Sequence, residues 1–72
     1  MKLILESDSL EITEYDKRLA NEVLNDFYPL IEKYRNYYAT VFFNKGNRKF
    51  IFKVSGGIIR NARIEKIDEG EE

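Results

Sequence analysis

An α+β fold, with one amphipathic, Pro-kinked helix on one face of a mainly antiparallel sheet, is what three features of this 72-residue sequence predict. Apolar residues recur at helical spacing from Leu19 to Tyr34. Two alternating runs flank the turn signal Asn44-Lys45-Gly46-Asn47, and a second turn signal, Ser55-Gly56-Gly57, leads into another apolar-rich run. The expected order is β(β)αβββ, with four or five strands. A chain this short forms one domain at most and buries only about 60% of the surface its unfolded form exposes. That domain is expected over residues 1–67, followed by a flexible acidic tail, DEGEE, over 68–72.

Residues 2–7, KLILES, suit a short strand buried on at least one side. Residues 10–13, LEIT, alternate, and either pair with it across the turn-prone Ser7-Asp8-Ser9 or lead directly into the helix. Thr13 followed by Asp16 resembles a capping box, and Glu14 and Asp16 put negative charge in the first turn, where the helix dipole favours it. Leu19, Val23, Phe27, Ile31 and Tyr34, with Leu30 beside them, then make one apolar stripe, and Lys33 and Arg35 close the last turn. The outward positions Glu14, Arg18, Asn21, Glu22, Asn25 and Asp26 are mixed in charge. Pro29 interrupts the backbone bonding, yet the stripe keeps its phase across it, which predicts a kink or two abutting helices.

The stretch YYATVFFNKGNRKFIFKV, residues 37–54, holds six aromatic and four basic side chains and no acid. With a two- or four-residue loop, Phe43 faces Arg48, Val41 faces Phe50 and Ala39 faces Phe52. One face then carries Ala39, Val41, Phe43, Phe50, Phe52 and Val54, and the other Tyr38, Thr40, Phe42, Lys49, Ile51 and Lys53. A three-residue loop would mix the two sets, so burial against the helix favours the first register. In the last strand, residues 58–67, the phase is open: Ile58, Ala62 and Ile64 share a face only if Arg60 lies among them.

Charge is unevenly laid out on a chain whose net charge is −1. Residues 1–32 carry eight acids and three bases, 33–64 eight bases and no acid, and 65–72 five acids and one base. Enzyme chemistry is poorly served. Without histidine or cysteine, neither a base nor a nucleophile tuned near neutral pH is at hand, and no carboxylate pair is fixed by spacing. P-loop, dinucleotide and EF-hand patterns are missing, so no cofactor and no metal are expected.

Binding is the better-served class. Tyr38, Phe42 and Ile51 between Lys49 and Lys53 form an uncovered patch suited to a protein partner or a homodimer. The acids Glu6, Asp8, Glu11, Glu14 and Asp16, with the stretch from Glu65, would suit a basic partner such as a DNA-binding or DNA-encircling protein, occupied in the manner of a DNA mimic. The alternative is direct nucleic-acid binding, with rings for stacking and Lys45, Arg48, Arg60 and Arg63 for phosphates. The reading favoured is a small regulator or inhibitor of nucleic-acid machinery. Small size, residues drawn from AT-rich codons and a lack of catalytic groups are shared with many phage-encoded inhibitors. The opening MKLILESD predicts neither a signal peptide nor a membrane span, and the lack of cysteine fits the cytoplasm, the host's if phage-encoded.

Overall fold

A computed structural model describes residues 4–67, and the expected acidic tail lies outside them. Strand β1 (Leu5–Glu6) is followed by helix α1 (Glu14–Phe27), a 3₁₀ helix (Tyr28–Tyr34), and strands β2 (Tyr38–Lys45), β3 (Arg48–Ser55) and β4 (Ile58–Lys66). The strands form one sheet in the spatial order β1-β4-β3-β2, with β1 parallel to β4 and the other neighbours antiparallel. The helical segment therefore carries the chain across one face, from the β1 edge to the β2 edge.

Residues 10–13 form no strand, so the sheet has four strands and β1 has no hairpin partner. The physical reason is local. Ser7 Oγ accepts the N–H groups of Ser9 (3.2 Å) and Leu10 (3.0 Å), turning the chain after β1, and Leu10 and Ile12 then pack against the core edge. Thr13 caps α1: its Oγ1 accepts from Asp16 N–H (3.4 Å), and Asp16 Oδ2 accepts from Thr13 N–H (3.0 Å), the reciprocal arrangement of a capping box.

Pro29 begins the tighter helix instead of ending the segment. Its missing N–H and its ring forbid continued α geometry, and the chain adopts three residues per turn from Tyr28. The change of pitch sorts the stripe. Ile31 and Tyr34, three apart, stay against the core, whereas Leu30 turns outward and is 41% exposed. Tyr34 C=O then accepts N–H groups from Tyr37 and Gly57 (both 3.2 Å), tying the helix end to the β3–β4 turn.

The β2–β3 turn is the two-residue pair Gly46-Asn47, with φ of 59° and 67°, the positive values a type I′ hairpin requires. Lys45 pairs with Arg48, Phe43 with Phe50, Val41 with Phe52 and Ala39 with Val54. These partners lie two residues from those expected of the longer loop. An even shift leaves every side chain on its expected face. In β4 the register slips once: Lys53 pairs with Asn61 but Val54 with Ile59, leaving Arg60 as the extra residue of a bulge. That bulge resolves the open phase, because Ile59, Ala62 and Ile64 are buried together while Ile58 points away.

Phe27, Phe50, Phe52, Val23, Val54 and Ile64 are fully buried, with Leu19, Ala20, Ile59 and Ala62 around them. Phe27 from α1 stacks on Phe52 (ring centroids 5.8 Å apart) and meets Phe43 edge-on at 5.3 Å, so one helical ring bridges both strands of the β2–β3 hairpin. Phe27→Ala should cost about 3–5 kcal/mol, a large share of a small domain's stability, and urea unfolding should show it. Tyr28→Ala, one residue on and 52% exposed, should change the midpoint little.

Candidate binding surface

The helical segment covers one face of the sheet, and pairing arranges the opposite face in four rows. Tyr38, Ser55 and Ile58 form one, then Thr40, Lys53 and Asn61, then Phe42, Ile51, Arg63 and Glu6, and last Asn44, Lys49 and Glu65. Tyr38, Phe42, Ile51, Lys49 and Lys53, singled out as a contact patch, thus share this face. Tyr38 is 80% and Phe42 59% exposed, and Lys49 Nζ lies 6.0 Å from the Phe42 ring centroid. Ile58, 41% exposed, extends the patch beside Ser55, which the sequence could not reveal while the bulge at Arg60 was unknown.

The basic residues divide between the two faces. Lys45 and Arg48 follow the parity of Phe43 and Phe50, so both belong to the helix side and depart from the expected phosphate-binding set. Lys45 reaches Glu22 of α1 at 3.4 Å, and Arg48 Nε donates to Asp16 Oδ1 at 2.8 Å. Arg63 is on the open face, but it contacts Glu6 (3.6 Å), Asp8 (2.7 Å) and Glu65 (3.0 Å). Arg60 stands exposed at the bulge. Besides Arg63, the positive charge that strand register places on the open face is that of Lys49 and Lys53.

The acidic residues are dispersed in the same way. Asp16 departs from the expected acidic surface altogether: it is 1% exposed, because capping the helix and pairing with Arg48 both draw it inward. Burial works to raise its pKa. The Arg48 hydrogen bond, the Thr13 amide and hydroxyl and the Arg48 charge outweigh that effect and hold it below the usual value. Glu6 and Asp8 surround Arg63, Glu14 pairs with Lys17 at 3.6 Å, and Glu11 is exposed ahead of the helix.

Glu65 is a structural clasp. Its carboxylate accepts from Ser7 Oγ (3.2 Å), Ser9 Oγ (2.7 Å), the amides of Asp8 and Ser9, and Arg63, while Ser9 Oγ accepts the Lys66 N–H at 2.9 Å. Partial burial would raise its pKa. The Ser9 hydroxyl, the two loop amides and Arg63 prevail and hold it at about 2. The sequence contains no local sign of this role, since the partners in Ser7–Ser9 lie 56 to 58 residues away.

No group of three or more potential metal ligands occurs among the described residues, and no described helix is long and apolar enough to cross a membrane. A groove between β1 and α1, floored by Leu5, Phe52 and Ala62, is lined mainly by apolar side chains, with Lys17 and Asn21 at its rim. No known protein family, curated protein or solved structure matches this chain. What the geometry defines is a one-helix α+β domain with an open sheet face, aromatic toward β2 and salt-bridged toward β1.

Two measurements check the polar network. Asp16→Ala should destabilise the fold by about 3 kcal/mol, since it removes the cap and strands a largely buried Arg48, and thermal unfolding reads the loss. Glu65 has a depressed folded pKa, so its contribution is complete above its ordinary value of 4.5 and disappears as pH falls toward about 2. Urea unfolding of the wild type should weaken across that interval. Glu65→Gln should start less stable and lose less over the same range.

Proposed function

We propose that this protein is a small, non-enzymatic binding module of the cytoplasm that regulates or inhibits a partner protein through the open face of its sheet. The observation that carries this reading is the gathering of Tyr38, Phe42, Ile51 and Ile58 on a face that no described element covers. These apolar side chains stand in two rows on either side of Thr40, Lys53 and Asn61, and exposed aromatic rings interleaved with charge are the composition of an interface. Lys49 and Lys53 beside this patch suit a partner whose own apolar contact is rimmed by carboxylates. A homodimer belongs to the same reading, since a second copy adds buried surface to a marginal core.

Action on nucleic-acid machinery through an acidic, DNA-like surface has less support than contact through the open face. Asp16 is buried, and Glu6 and Asp8 are engaged with Arg63. Direct nucleic-acid binding draws support from one feature, the Lys49 ammonium beside the Phe42 ring, which joins a stacking surface to a cation. Lys45 and Arg48 on the helix side do not add to it.

Affinity capture from a nuclease-treated lysate, followed by measurement of the purified partner's affinity, tests the proposal. The partner should stay bound after nuclease, and Lys49→Glu with Lys53→Glu should weaken it tenfold or more. Capture that vanishes with nuclease, together with salt-sensitive binding of a single-stranded oligonucleotide lost in the same double variant, would transfer the function to nucleic acid.

A further inference from the structure

The two edges of the sheet are built differently. At one edge, β1 pairs over only two residues, Leu5 and Glu6, and the chain beyond it is drawn into the Glu65 clasp. At the other, β2 runs for eight residues, Tyr38–Lys45, without a proline, with β3 as its only strand neighbour among the described residues and with its single charge at the last position. Edges of monomeric sheets are ordinarily shortened, bulged, charged or interrupted by proline, since an open row of N–H and C=O groups invites another strand. β2 has none of these protections between Tyr38 and Asn44.

We propose that the outer edge of β2 pairs antiparallel with β2 of a second copy, giving a continuous eight-stranded sheet about a two-fold axis at Val41.

Self-pairing is what the strand's own pattern permits. Lys45 and Arg48 flank a two-residue turn and so form a hydrogen-bonded pair; such pairs recur at Phe43, Val41 and Ala39. Thr40, Phe42 and their even-numbered neighbours consequently point their N–H and C=O groups outward. An odd offset about the axis would set residues of opposite faces against each other, so only even ones keep the helix layers of both copies together. With Val41 opposite the partner's Val41, Thr40 meets the partner's Phe42, Ala39 meets the partner's Phe43, and Tyr38 meets the partner's Asn44. Each pair beyond the axis sets a larger side chain against a smaller one, and Lys45 falls beyond the ladder, beside the partner's Tyr37. A shift by two residues would instead draw Lys45 into the ladder opposite the partner's Ala39.

Tyr37, Tyr38 and Phe42 are 65%, 80% and 59% exposed and flank this edge in each copy. Tyr38 and Phe42 stand on the open face and are covered only along their flanks by an edge-on neighbour, so the seven-residue ladder supplies most of the contact and the interface falls at the small end of specific ones. A partner of other sequence would match the edge hydrogen bonds equally well. The size alternation and the placement of Lys45 single out a second copy. The open face survives dimerisation, with the patches of both copies side by side, so this inference stands apart from the identity of any further partner.

Sedimentation at roughly 100 µM, where a dimer of micromolar affinity is nearly complete, should give the mass of two chains. Thr40→Pro removes one outward N–H and no bond to β3, a substitution an edge strand accommodates, and should give one-chain mass with an unchanged circular dichroism spectrum. Val41→Cys, in a chain with no other cysteine, sets two thiols across the axis, where Cα atoms of a non-hydrogen-bonded pair stand about 4.5 Å apart, within disulfide reach. Under mild oxidant, 2 RSH giving RSSR with loss of two electrons and two protons to the oxidant, it should cross-link at least tenfold faster than Asn25→Cys on the exposed side of α1. A wild type of one-chain mass, a dimer that persists in a folded Thr40→Pro, or equal cross-linking of the two cysteine variants would overturn the proposal. Lys49→Glu with Lys53→Glu should keep two-chain mass, so loss of partner capture in that variant bears on the face and not on the edge.

Discussion

Asp16 joins the start of α1 to the start of β3, with the Thr13 amide and Arg48 Nε on its two oxygens and almost no contact with water. A carboxylate removed from solvent is tolerated only while its partners remain in place, so each of them is constrained by the others. Thr13 must begin the helix, and Arg48 must open β3 immediately after the turn. Tyr15, one residue earlier, donates its hydroxyl to Gly46 C=O at 3.3 Å and lies under the Arg48 guanidinium, fastening the same turn to the same helical end. Helix start and hairpin tip are thereby held together, and the aromatic core closes behind them with Phe27 over Phe52. Which face of the hairpin meets water follows from that junction.

The polar residues then take roles by position and not by type. Four cations expected to serve one surface divide according to strand parity: Lys45 and Arg48 brace the helix, Arg63 gathers three carboxylates, and Arg60 is displaced by the bulge. The acidic set divides likewise. What looks in one dimension like a basic block between two acidic ones becomes, in three, a network of internal pairs with a small cationic remainder around Phe42. Surface pairs of this kind contribute little individually, but they determine which charges are left to meet a partner.

Much of the architecture was legible because it depends on local chemistry. Thr13 and Asp16 announce a cap, the helical stripe announces its buried face, and the alternation of Ala39, Val41 and Phe43 with Phe50, Phe52 and Val54 requires two faces whatever even-length turn joins them. The direction of β1 was not legible, since parallel pairing with β4 depends on contacts across more than fifty residues and not on a turn. Nor was the bulge, because one extra residue at Arg60 alters phase without altering composition. The patch of Tyr38, Phe42 and Ile51 followed from alternation alone. Removal of Asp16, Arg48 and Arg63 from the working surface required knowing which side chains the fold brings within 3 Å.

The union of β1 with β4 also has a consequence in time. The β2–β3 and β3–β4 hairpins join neighbours in sequence and carry most of the core rings, so they can assemble with short loops to close. The Ser7–Ser9 loop meets Glu65 only after β4 is in place, and it is held by few apolar contacts and several solvent-facing hydrogen bonds. Such a segment closes last and reopens first. The β1 border is thus joined to the hairpin-and-helix body chiefly through the Glu65 clasp, and loss of that clasp would bare the outer edge of β4 while leaving the aromatic interior in place.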